Sequence, residues 1–114
     1  MPSLGNTFRG TIIENSLNDK KILENLQIKK THRLEDWLLH DVTVSEEQIG
    51  KLGQYLDDGP WYMHFWQGGK DDVVVVFKDK TFKLKYSDKS TWTKAVDYGK
   101  SIGISEEQLD FSIK

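Results

Sequence analysis

Cysteine is absent from the 114 residues. Disulfides, thiol nucleophiles and thiolate metal sites are thereby removed together. No run of about eighteen apolar residues occurs, so no helix is expected to cross a membrane. Neither charge dominates. Lysine and arginine number 16 against 18 acidic residues, a net charge of −2 that gives no global pull toward nucleic acid or acidic membranes. There is no GxSxG elbow for a serine nucleophile. There is no HExxH, and Gly68-Gly69-Lys70 lacks the spacing and the following Ser/Thr of a phosphate loop. The opening MPSLGNTFRG has no basic segment leading into an apolar one, and the expectation is a cytoplasmic protein.

What is present is the balance of a globular domain. Apolar residues make up 37% and charged residues 30%, too apolar for a disordered chain. The length matches one domain, residues 1–114, with a single core, and no linker or low-complexity tract divides it.

The string SEEQ occurs twice, at Ser45–Gln48 and Ser105–Gln108, without similarity beyond those four residues. It reads as a local signal. Serine followed three residues later by glutamine can form a capping box, and two glutamates suit the positive end of a helix dipole. After the first copy, Ile49, Leu52 and Leu56 fall on one helical face, and Asp57-Asp58-Gly59-Pro60 stops the helix. Gly50 and Gly53 weaken it, which close approach to a sheet would explain. A second helix opens near Asp88 or Ser90 with Trp92, Ala95, Val96, Gly99 and Ile102 inward, and ends at Gly103. A short helical piece is expected over 19–26.

The rest alternates as strands: 7–14, 27–33, 37–44, 61–67, 73–77 and 81–86. The strand at 27–33 is charged and suits an edge. Turns at Gly68-Gly69 and Asp79-Lys80 make the last three strands an antiparallel meander. Strands in runs predict an α+β fold: a mostly antiparallel sheet of five to six strands, with both main helices packed on one face.

With these elements in place, GTIIENSL, PWYMHF followed by VVVVFKDKTFKLKY, and YGKSIGISEEQLDF carry a resemblance spanning most of the chain. In them the chain resembles a family of small, uncharacterised prokaryotic proteins. That family has no established activity, so the resemblance implies a small single domain and no site residues.

Candidate sites follow from the residues alone. The three histidines, His32, His40 and His64, show no ligand spacing, and neither a metal nor a cofactor is expected. Glu35 and Asp36, beside Trp37, are the carboxylates least explained by caps and turns. Lys29, Lys30, His32 and Arg33 form one basic group. Lys78, Lys80, Lys83, Lys85 and Lys89 form another, which with Trp61, Tyr62 and Trp66 could meet bases and phosphates. The negative net charge disfavours that nucleic-acid reading.

The aromatic stretch GPWYMHFWQGG splits by alternation into Trp61, Met63 and Phe65, expected in the core, and Tyr62, His64 and Trp66 on the opposite face. Tyrosine, histidine and tryptophan bury rings while keeping a polar atom for a partner. Trp37, Leu39 or His40 could join them from another strand. The leading expectation is a domain that binds a small ligand or a second copy of itself through Tyr62, His64, Trp66, His40 and Trp37, without catalysis. The enzyme alternative places His64 with His40 or Asp36 in a small-molecule pocket.

Overall fold

The strand and helix signals become elements in the order in which they occur in the sequence. A computed structural model describes residues 7–67, 70–78 and 80–109. The strands are β1 (Thr7–Ile13), β2 (Gln27–Leu34), β3 (Trp37–Ser45), β4 (Met63–Trp66), β5 (Asp72–Val76) and β6 (Thr81–Lys85). Helix α1 (Glu46–Leu52) lies between β3 and β4, and α2 (Thr93–Ser101) follows β6. Short 3-10 turns fill in, including Lys20–Asn25 where a short helical piece is expected. The Gly68-Gly69 turn, Asp79 and the tail from Asp110 lie outside the described residues.

All six strands form one antiparallel sheet in the order β2-β3-β1-β4-β5-β6. The first strand is therefore central. It pairs β3 on one side, Ile12 opposite His40, and β4 on the other, Gly10 opposite Phe65. Gly10 permits that second pairing. A Cβ there would sit 2.4 Å from the Phe65 ring and 2.6 Å from the His64 carbonyl oxygen.

The first SEEQ caps α1 as expected. Ser45 Oγ accepts from the Gln48 N–H at 3.1 Å, and Gln48 Oε1 accepts from the Ser45 N–H at 2.8 Å. The second copy yields only the 3-10 turn Glu106–Gln108, with no side-chain cap. Periodic apolar residues follow the first copy and not the second, so only the first has a face to bury. The two α1-region glycines also differ. A Cβ on Gly53 would meet the Phe77 carbonyl at 2.8 Å, the close approach expected, whereas Gly50 faces open space.

The α+β class and the six antiparallel strands match the sequence reading. The placement of both helices on one face does not. Ile49 and Leu52 of α1 pack with Met63, Phe65, Val74 and Val76. Ala95 of α2 packs with Trp66, Val73, Val75 and Phe77, the alternate residues of the same strands. The helices thus cover opposite faces. The physical reason is β5: Val73, Val74, Val75 and Val76 are all buried, so both faces of that strand need cover. Burying one valine or phenylalanine side chain contributes about 1.5–3 kcal/mol, so two-sided burial makes β4 and β5 the firmest part of the sheet.

Beyond β4 the second face is treated unevenly. Helix α2 and the segment through Leu109 cover the β4–β6 half. Among the described residues, no helix lies over the β2-β3-β1 half. No helix is long and apolar enough to cross a membrane among them.

Candidate aromatic groove on the second sheet face

The uneven cover leaves a groove of about 320 Å³. Its floor comes from strands whose register puts alternate residues on the second face: Thr11 and Ile13 of β1, Trp37 and Leu39 of β3. The segment entering β4 supplies Pro60, Trp61, Tyr62, Met63 and His64. Ile104 and Gln108, after α2, close one end. The Tyr62 hydroxyl donates to the Gln108 carbonyl and holds that end in place.

Aromatic rings make the walls. Trp37 and Trp61 meet edge to face, centroids 5.8 Å apart. Tyr62 stacks on His64 at 6.2 Å, and His64 lies against Trp66 at 5.2 Å. Such pairs contribute about 0.5–1.5 kcal/mol beyond their burial and fix ring positions. Polar side chains in the lining include His64, Gln108 and Thr11, whose hydroxyl donates to Asp41 Oδ1 at 2.9 Å. No carboxylate is among the described residues lining the groove.

Of the five residues singled out from sequence, Tyr62, His64 and Trp37 line this groove. Trp66 does not. It is 8% exposed and packs in the core under α2, its indole N–H buried without a hydrogen-bond partner among the described residues. His40 is on the opposite face, because it alternates with Trp37 and Leu39 along β3 and shares the side of Ile12 and Val42. There it is 6% exposed and fully engaged. Glu14 Oε1 lies 2.9 Å from Nε2 and Thr31 Oγ1 2.8 Å from Nδ1. An ionised carboxylate only accepts, so Nε2 donates to Glu14, while Nδ1 and the Thr31 hydroxyl share the second hydrogen bond, the hydroxyl donating when the imidazole is neutral. The histidine–carboxylate pair of the fold is therefore buried away from the groove, and His64 and His40 share no pocket.

Trp61 packs against the core cluster of Met63 and Phe65, as expected, but only from its margin, because strand pairing begins at Met63. Met63 and Phe65 are core, while Trp61 is half-buried and walls the groove against Trp37. Glu35 and Asp36 prove to be the turn of the β2–β3 hairpin, with Glu35 at a φ of 55°.

Each lysine of the second basic group has a partner within the fold. Lys78, Lys83 and Lys85 pair with Asp58, Glu46 and Asp72. Lys80 and Lys89 sit over the rings of Tyr98 and Trp92. These lysines are thus engaged within the fold, which weakens them as a phosphate-binding face. No group of three or more His, Asp or Glu side chains is arranged to hold a metal among the described residues.

Thr11, Ile13, Ile104 and Gln108 were not candidates from sequence. The first two carry a signal, since alternation puts them on one face of β1, yet only the strand order brings them beside Tyr62 and His64. Ile104 and Gln108 arrive through a chain reversal after α2 that no local pattern announces. No protein-family model, curated protein or solved structure matches the chain.

Proposed function

We propose that the protein is a small cytoplasmic binding domain, without catalysis of its own, that takes a planar and largely apolar small molecule in the aromatic groove. The observation that carries this reading is the groove's make-up: about 320 Å³ walled by Trp37, Trp61 and Tyr62, with His64 and Thr11 as its polar points. Ligand sites commonly begin at about 300 Å³, mostly apolar with a few placed polar groups. The absence of a carboxylate among the described lining residues favours binding over acid–base chemistry. The family resemblance brings no activity with it, so the groove alone supports the reading.

The test is titration with an anilinonaphthalene dye followed by dye and tryptophan fluorescence. Binding to the native chain, lost in Trp37→Ala while the unfolding midpoint stays near that of the parent, supports the proposal. Equal binding by the variant contradicts it.

Self-association is the second reading. Leu34 and Trp37 face each other across β2 and β3 and are 56% and 38% exposed. Large apolar residues exposed side by side mark contact surfaces. Sedimentation velocity should then show a concentration-dependent dimer that Leu34→Lys abolishes. A monomer at all concentrations removes this reading and leaves the first intact.

A further inference from the structure

The two edges of the sheet are managed differently. Edge strand β6 has five residues and is partly covered. The Lys85 N–H donates to the Thr91 hydroxyl at 2.9 Å, and Trp92 Nε1 donates to the Lys85 carbonyl at 2.9 Å. Its lysines are neutralised, Lys83 by Glu46 and Lys85 by Asp72. Edge strand β2 has eight residues, and every one is exposed. Among the described residues it pairs only with β3. Lys29, Lys30 and Arg33 form no ion pair among the described residues.

A bare edge is a row of backbone donors and acceptors ready to pair with another strand. Lysine on such an edge can serve only to repel other chains. That explanation accounts for the charge but not for the apolar residues beside it, Ile28 at 38% and Leu34 at 56% exposure. An edge built solely for protection has no use for them. A bulge at Lys29 interrupts the ladder with β3, which leaves Lys30 to Leu34 as the regular run.

We propose that β2 accepts an added strand from an acidic, extended segment of another protein, along Lys30 to Leu34. Main-chain hydrogen bonds would give affinity. Lys29, Lys30 and Arg33 would select for carboxylates, and Leu34 would take an apolar residue at one end. A second copy of this chain is the poorer occupant. Antiparallel pairing of two β2 strands sets each cluster of cations against the other, and like charges across strands oppose pairing.

The experiment uses the full chain and a capped threonine–glutamate peptide of about eight residues, the reach of one edge strand, with glutamates at both odd and even positions because Lys30 and Arg33 point to opposite faces. Anisotropy of the labelled peptide reports binding, and amide hydrogen exchange locates it. The expected result is binding with slowed exchange at residues 30–34. The charge reversal Lys29→Glu, Lys30→Glu, Arg33→Glu should weaken it about tenfold or more, since three exposed pairs become repulsive, and should gain the matching threonine–lysine peptide. Lys30→Gln, a milder surface change, should weaken it less. Three results would overturn the proposal. They are no binding of the acidic peptide, binding unaffected by charge reversal, or equal binding of single-stranded DNA without protection of the β2 amides.

Discussion

Gly10→Ala is the smallest change that tests how the sheet and the groove are joined. The added Cβ falls 2.4 Å from the Phe65 ring, about 1 Å short of ordinary contact, and 2.6 Å from the His64 carbonyl. Phe65 is 0% exposed, so its ring has no room to swing aside, and the carbonyl belongs to the backbone of β4. β4 must therefore move away from β1. Overpacking of this kind costs about 1–3 kcal/mol. Replacing glycine returns about 0.4–1 kcal/mol by restricting the unfolded chain. At the middle of those ranges the net loss is about 1.3 kcal/mol, or roughly 5 °C in the thermal midpoint of a domain this size. Because His64 and Tyr62 ride on the strand that moves, ligand affinity at the groove should fall with stability. Circular dichroism melting gives the first quantity and dye titration the second. Adding Phe65→Leu to Gly10→Ala should recover part of the loss, an interaction measurable as a double-mutant cycle. A midpoint unchanged or raised by Gly10→Ala would refute the close β1–β4 approach.

Further outcomes follow from the same structure. Trp66→Ala empties a core position and should cost about 3–5 kcal/mol in chemical denaturation, while Trp37→Ala, on the groove rim, should cost no more than about 1.5 kcal/mol; equal losses would mean the rim and core assignments are reversed. Gly50→Ala, with open space around it, should stabilise α1 by up to about 1 kcal/mol, and Gly53→Ala should destabilise because its Cβ meets the Phe77 carbonyl at 2.8 Å. Asp71 is held below the usual carboxylate range by hydrogen bonds from the Ser87 hydroxyl and then the Ser87 N–H. A depressed folded value stabilises above the ordinary carboxylate pKa and ceases to do so as the pH falls through the depressed value. Ser87→Ala should return Asp71 part of the way toward its ordinary value in a carboxyl NMR titration, and no movement would contradict the assignment.

Much of the fold was legible because its signals are local. The capping box at Ser45 and the alternation of Phe82, Lys83, Leu84 and Lys85 each act within a few residues, whereas the stop expected at Gly59-Pro60 falls too late, since α1 ends at Leu52 and Leu56 is already extended. The pairing of β1 with both β3 and β4 is not local, and no spacing in the sequence encodes it. Two-sided cover of the sheet was written in Val73–Val76, an unbroken apolar run where a half-solvated strand would alternate. Within the groove, Tyr62, His64 and Trp37 were found because amphipathic rings on alternating positions are visible in one strand at a time. Trp66 was misplaced because alternation assigns a face without saying whether a helix lies over it. His40 was misplaced for a simpler reason: it sits one residue from Leu39 and so faces the other way. Its engagement with Glu14 and Thr31 depends on residues 26 and 9 positions distant.

The groove as a binding site is most directly tested by amide and indole NMR shifts during titration with a set of planar aromatic fragments. The account predicts perturbations clustered at Thr11, Ile13, Leu39, Tyr62 and His64 and at the Trp37 indole, with the amides of α1 unmoved. Shifts that fall elsewhere, or none at fragment concentrations up to the solubility limit, would contradict it.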